Sequence, residues 1–250
     1  GFGALAVSQH PNVEVLKGFG VLAACGRARV SGAELVPVDA CGKATGKTQR
    51  IACDLIAVSG GWSPCIHLWS QRNRKANFLE AGECFVPSGD GVSTMWYAGS
   101  ITAELDDEQI VISAFNTGAS AAKAANFHRN PGIAPLPPMN EEGFSWIRGF
   151  HRVHSVSAGN GEPVGKAFVD FQHDVTLDDI DLAHREGYVS VEHLKRYTTA
   201  GMANDQGKLS NVNSLVRMAT LRGIAVPEAG TTTYRPPYTP ITIGALVGRD

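Results

Sequence analysis

The sequence predicts an α/β chain, part of a dinucleotide-binding type of layer followed by a small three-helix module. Two observations carry the first half: an apolar run closed by paired glycines, CDLIAVSGG, and a later helix whose face is built of alanine and glycine. Three capped helices in quick succession after Thr176 carry the second. At 250 residues, with 43% apolar and 18% charged side chains, the chain can bury a sizeable core and is composed like a globular protein.

The opening GFGALAVSQH reads as mid-element and is expected to continue an earlier portion of a larger protein. VEVLKG and RARVSGAELVPV alternate and are broken by glycines, which predicts hairpins or a meander. QRIACDLIAVSGG predicts a strand buried on both faces, because helices above and below would need apolar side chains on each. WSPCIHLWSQR predicts a short helix with Ser63 capping and Pro64 in the first turn.

ECFVP and MWYAGSIT read as further short strands. The second runs into a helix on which Ile110, Val111, Ala114, Gly118, Ala121, Ala122 and Ala125 recur at helical spacing. Asp106, Asp107 and Glu108 stand at its N-terminal end, where the helix dipole favours negative charge. NPGIAPLPPMNEEG is a proline-rich boundary. Beyond it, Thr176, Ser190 and Ser210 are predicted N-caps, with stops at Gly187, Gly201 and Gly223. EAGTTTYRPPYTPITIG reads as an extended connector. The implied division is 1–129 for the C-terminal part of the nucleotide-binding layer, 130–163 for a linker, 164–225 for the helical module and 226–250 for the connector.

A net charge of −2 excludes a field that would gather nucleic acid or an anionic membrane. No apolar run reaches the roughly 18 residues of a membrane span. The five cysteines are odd in number and form no CxxC pair, which argues for reduced thiols and a cytoplasmic protein.

Several motifs imitate chemistry. GFGVLA copies a dinucleotide fingerprint, but Gly26 and RARVSG interrupt the helix that must follow, so a hairpin is predicted. GKATGKT is one residue short of a phosphate loop and reads as a turn. His151, His154, His184 and His193 lack a third ligand at a useful offset. Ser59 lacks the G-x-S-x-G elbow, and Lys195 and Arg196 in HLKRY read as a solvated face. AGSITAELDD is the best binding signal, since Gly99 permits close backbone approach and a helix start offers free N–H groups.

CDLIAVSGGWSPCIHLWSQ, WYAGSITAELDD, SVEHLKRYTTAGMANDQGKLSNVN and GTTTYRPPYTPITIGAL together resemble the alpha subunits of bacterial heterotetrameric sarcosine oxidases. The resemblance runs along nearly the whole chain as an internal fragment. It implies a partial FAD/NAD(P)-binding domain, similar to those of pyridine nucleotide-disulfide oxidoreductases. The A-G-x-x-x-G-x-L-D turn would then contribute to an NAD site, with Gly99, Ser100, Leu105 and Asp107 at matching positions and Ala103 in place of the usual second glycine.

The family oxidises sarcosine to glycine, passes the one-carbon unit to tetrahydrofolate and reduces oxygen to hydrogen peroxide. The resemblance therefore implies beta, gamma and delta partner subunits and a small-molecule substrate. FAD is expected in beta, FMN at the interface with beta, and tetrahydrofolate in a C-terminal domain beyond this chain. Such an oxidoreductase, acting on CH–NH donors with oxygen as acceptor, is active only as the assembled complex, and no catalytic side chain is assigned to these residues. Arg235 is the candidate contact to the FMN phosphate or a substrate tunnel.

The helical module resembles small [2Fe–2S] domains of the bacterioferritin-associated ferredoxin type. At the ligand positions of those domains this chain carries Phe171, His173, Asp205 and Ser210, so no iron–sulfur cluster is expected. The module is expected to survive as a docking surface. Opine- or proline-type amine dehydrogenase subunits, which retain the cysteines, and a non-catalytic nucleotide-binding scaffold are the alternative readings.

Overall fold

A computed structural model describes residues 10–72, 74–88, 94–127, 132, 153–236 and 239–248. The opening residues 1–9, His151 and nearly all of the proline-rich boundary lie outside them.

The glycine-broken alternation forms an antiparallel hairpin of β1 (Phe19–Gly26) and β2 (Val30–Pro37), joined at its far edge by β3 (Gln49–Ile51). GFGVLA therefore opens a strand, and VEVLKG precedes it without regular structure. GKATGKT is a turn, and Gly42 serves packing there. Its φ is +80°, and a Cβ would lie 2.1 Å from the Ser155 carbonyl oxygen. Segment 153–157 can approach only because that Cβ is missing: Ala44 N donates to Ser157 O and Ser157 N to Gly42 O.

The strand expected over CDLIAVSGG does not form, and residues 52–61 have no regular structure. Leu55 is 76% and Val58 85% exposed. An apolar run becomes a central strand only between hydrogen-bonding neighbours and under covering helices. Among the described residues nothing supplies either.

The next helix, α1 (His67–Ser70), is shorter than WSPCIHLWSQR suggested, and Ser63 does not cap it. Trp69 anchors it, buried, with Nε1 donating to Lys75 O and an edge contact to Tyr97. A hairpin of β4 (Ala76–Leu79) and β5 (Cys84–Pro87) follows, of which only β5 was predicted. MWYAGSIT is not a strand: it is irregular up to a 3₁₀ turn over Gly99–Thr102. The alanine-faced helix is α2 (Asp107–Ala124), capped as its acidic start requires, with Asp106 accepting from Gln109 N. None of its residues is fully buried.

In the second half helices start at the three predicted N-cap positions, though only Thr176 makes its capping bond. A two-strand ladder, β6 (Phe168–Asp170) with β7 (Val175–Thr176), leads into α3 (Leu177–Arg185) through a complete capping box of Thr176 and Asp179. Next come α4 (Val191–Thr198) and α5 (Asn211–Arg222), which Gly223 ends in a left-handed C-cap. Ser190 and Ser210 sit at N-cap positions without a side-chain capping bond. Arg217 of α5 holds Asp181 of α3 through two hydrogen bonds, the shape that favours arginine over lysine.

Two short helices, α6 (Val226–Ala229) and α7 (Ile243–Val247), interrupt the extended tail. Thr232 and Tyr234 between them are buried, so the tail packs with the module as far as Tyr234. The core gathers Val169, Ile180, Leu194, Leu215, Met218 and Tyr234, with Ile66 and Phe85 reaching in from the first half.

Candidate functional site

Asp170 is the centre of the helical module. It is 2% exposed at the end of β6, just before the FQHD turn. Its Oδ1 accepts from the backbone N of Gln172 and His173, at 2.9 and 3.2 Å. Its Oδ2 accepts from Gly201 N at 2.8 Å and from Ser210 Oγ at 3.2 Å. Burial alone would raise this carboxyl, but the N–H groups of Gly201, Gln172 and His173 outweigh it and hold it below its usual range. Ser210 stands at the N-cap with a helical backbone, unlike the extended one of a capping residue, and its hydroxyl points to Asp170 instead.

Those contacts decide what the four ligand-like positions do. Phe171 is exposed and stacks with Phe168. His173 Nδ1 lies 3.5 Å from Asp170 Oδ1, a long contact that does not satisfy the nitrogen. Ser210 is spent on Asp170, and Asp205 accepts from Leu209 N. Among the described residues no three His, Cys, Asp or Glu side chains are grouped to hold a metal.

The segment between α4 and α5 ties this centre to the rest of the molecule. Thr199, Ala203 and Gln206 all have positive φ, costly for side-chain-bearing residues. Hydrogen bonds hold them in place. Gln206 O accepts from His67 Nε2 at 3.0 Å, and Gln206 Oε1 accepts from Arg235 N at 2.9 Å. Asn211 Nδ2 donates to Thr232 Oγ1 at 3.0 Å. Gly207 has no room for a Cβ, which would fall 2.1 Å from Asn211 Oδ1.

Ser63, Pro64, Cys65, His67, Lys208 and Tyr234 contribute to the wall of a cavity of about 50 Å³ at this seam. His67 is buried and stacks on Tyr234 with ring centroids 3.8 Å apart. Its Nδ1 lies 3.4 Å from Cys65 Sγ. Burial pushes the imidazole below its ordinary value, against the opposing pull of the Gln206 carbonyl. Sequence reading passed over this pair: Cys65 and His67 look like two more scattered residues, and an i, i+2 spacing in a loop carries no signal.

The predicted NAD residues cluster at the entry to α2. Gly99 takes φ +82°, and Ala103 takes φ +63°, a left-handed conformation that glycine would adopt without strain. Ser100 and Asp107 are exposed and Leu105 is half-buried. The expected free N–H groups are not all available. Glu104 Oε1 accepts from Leu105 N and Asp106 N, and Asp106 takes Gln109 N. Four acidic residues, Glu104 and Asp106 to Glu108, crowd this start, so it suits hydroxyl donors such as a ribose and not a phosphate.

Arg235 lies elsewhere, on the tail beside the module. Its backbone N donates to Gln206 Oε1, at the seam of the module. Its side chain is exposed near Lys195, itself 6% exposed and donating to Thr233 O at 3.1 Å. Burial lowers Lys195; Glu192 opposes this, while Arg235 and Arg196 add to it. His154 lies between Glu83 Oε2 and Asn213 Oδ1, 3.3 Å from each, and so bridges the two halves of the chain. No described helix is long and apolar enough to cross a membrane.

The arrangement of hairpins, long helix and helical module has a solved counterpart in L-proline dehydrogenase from P. horikoshii. The TM-score is 0.59 at 16% identity, covering 92% of this chain and 44% of that one. This defines the class by fold alone: the chain shares the fold of part of that dehydrogenase. Residues 164–249 match the Sarcosine oxidase A3 domain. The chain is 43% identical over 209 residues to the sarcosine oxidase subunit alpha of Rhizobium meliloti (strain 1021), and 41% over 214 residues to that of Corynebacterium sp. (strain U-96). It belongs to the sarcosine oxidase alpha-subunit family and spans about a fifth of the length of these relatives, 20% and 21%.

Proposed function

We propose that this chain is a portion of the alpha subunit of a tetrahydrofolate-dependent sarcosine oxidase. The assembled enzyme would convert sarcosine to glycine, 5,10-methylenetetrahydrofolate and hydrogen peroxide with beta, gamma and delta subunits. The observation that carries this reading is 43% identity over 81% of the chain to a sarcosine oxidase alpha subunit. A proline- or opine-type dehydrogenase subunit has only the shared fold in its favour.

In this reading residues 1–129 complete a nucleotide-binding domain, 164–225 form the helical module, and 130–163 and 226–250 connect them to each other and to a folate-binding domain. Asp107 and Ser100 would meet the hydroxyl groups of NAD, with Gly99 and Leu105 shaping the backbone. Bound NAD would supply a nucleotide that this face orients; the pyrophosphate would need donors from elsewhere in the subunit. The exposed Arg235 would present positive charge to the FMN phosphate at the border with beta. FAD would reside in beta.

The module itself would carry no electrons, because a satisfied carboxylate fills its centre. Co-expression of the full-length subunit with its three partners tests the reading. Peroxide release and flavin reduction with sarcosine are expected, with NAD retained and no stoichiometric iron in the module. Turnover of proline in place of sarcosine, or a full complement of cluster iron there, overturns it. Asp107→Asn should weaken NAD retention about tenfold, the loss of one charge-assisted hydrogen bond, and unchanged retention removes Asp107 from the site.

A further inference from the structure

The cavity at the seam holds a thiol and a base in contact, and the geometry fixes which atom carries the proton. The Gln206 carbonyl can only accept, so the His67 Nε2 that faces it at 3.0 Å bears the hydrogen. Nδ1 is then the lone-pair nitrogen, and the Cys65 S–H, 3.4 Å away, donates to it. Stacking on Tyr234 and the Gln206 bond hold the ring in this orientation. Cys65 is half-buried on the cavity wall, reachable by solutes yet shielded from large ones.

We propose that Cys65 and His67 form a reactive site for small hydroperoxides, at which Cys65 is oxidised to a sulfenic acid. As sulfur attacks one peroxide oxygen, the thiol proton passes to His67 Nδ1. The S–O bond forms, the O–O bond breaks, and the departing oxygen takes the proton back from Nδ1. For hydrogen peroxide the products are Cys65–SOH and water, sulfur being oxidised by two electrons and the peroxide reduced by two. Lys208, on the same wall, places positive charge where the departing oxygen gathers negative charge. A cavity of about 50 Å³ has room for a molecule as small as hydrogen peroxide.

Burial supports this division of labour. An imidazole pushed below its ordinary range does not hold the thiol's proton at rest. It takes the proton as sulfur attacks and returns it to the departing oxygen, a step that a peroxide needs and an alkylating agent losing iodide does not. The proposal stands apart from the subunit reading and needs no flavin.

The test is competition among the five cysteines of the full-length subunit in its complex. The protein is exposed to hydrogen peroxide with dimedone, which traps sulfenic acids, and separately to iodoacetamide; each cysteine is then read by peptide mass spectrometry. Exposed Cys41 is the internal standard. The Cys65-to-Cys41 ratio should be at least about tenfold higher with peroxide than with iodoacetamide, a threshold set below the roughly hundredfold that is the low end of what a positioned base contributes. His67→Gln should bring that ratio down to the iodoacetamide level while Cys41 is unchanged. Equal ratios in the unaltered protein overturn the proposal, as does a folded His67→Gln protein that keeps the wild-type ratio. If His67→Gln fails to fold, the unaltered protein alone decides.

Discussion

The two halves of this chain spend similar sequence in opposite ways. In the first, α2 runs for 18 residues without one fully buried side chain, and Leu55, Val58 and Trp62 stand largely in solvent. In the second, the shorter α3 and α5 bury Ile180, Ala183, Leu215 and Met218 almost completely. An amphipathic pattern is present in both, weaker in α2 than in α3. What differs is the presence of partners: three helices, a two-strand ladder and the returning tail close on one another around Asp170, whereas the first half offers edges and faces that no described element covers. A capped, apolar element becomes a stabilising one only when something packs against it.

The sharpest way to break this contrast is at Asp170. Asp170→Ala strands the Gly201 N–H and the Ser210 hydroxyl in the interior and should cost about 3 kcal/mol or more. Asp170→Asn must turn an NH₂ toward N–H or O–H donors and should also destabilise, though less. Denaturant titration would measure both, and a neutral Asp170→Ala would show that the module does not depend on its centre. Next in size, Met218→Ala, at a side chain with no exposure, should cost about 2–5 kcal/mol. The matched change in the first half, Val58→Ser, should stay within about 0.5 kcal/mol in this chain. A Val58→Ser penalty as large as that of Met218→Ala would erase the distinction between the halves.

Acid should act on the seam and then on the centre. The folded value of His67 lies below its ordinary one. Between the two, the unfolded chain binds a proton that the folded chain does not, so stability should begin to fall as the pH drops below about 6.5. Asp170 is lowered as well, so its contribution is present above its unfolded value and is lost from about pH 4 downward. Equilibrium unfolding across this range should show two successive losses, the first absent in His67→Gln. The smallest change concerns Thr176→Ala, which removes the capping box and should cost about 1 kcal/mol. A loss of more than twice that would mean that Thr176 does more than cap.

Much of this was legible in residues close together in the chain. The Thr176 capping box, the left-handed stop at Gly223, the acidic entry to α2 and the β1–β2 hairpin all arise from interactions spanning a few positions, and each was predictable from its own neighbours. The errors were of the opposite kind. CDLIAVSGG has the composition of a central strand, but a strand needs partners that composition does not supply. The helix start at Asp107 was read as free N–H groups, yet Asp106 occupies that of Gln109 and Glu104 folds back onto those of Leu105 and Asp106 just before the helix. The motif around Gly207 carried only the family resemblance in the sequence, and its use is architectural: it brings His67, Asp170, Thr232 and Arg235 to one polar seam.

The sequence alone determined where α2 to α5 begin, which glycines must turn, and the family to which the chain belongs, because caps, turns and residue identities act over short chain distances. Only the tertiary structure decided which apolar residues are core, which acidic residue is the buried centre, and that Cys65 meets His67 over a cavity closed by residues far along the chain. Burial and hydrogen-bond partnership are properties of what lies opposite a residue in space, and no local pattern encodes them.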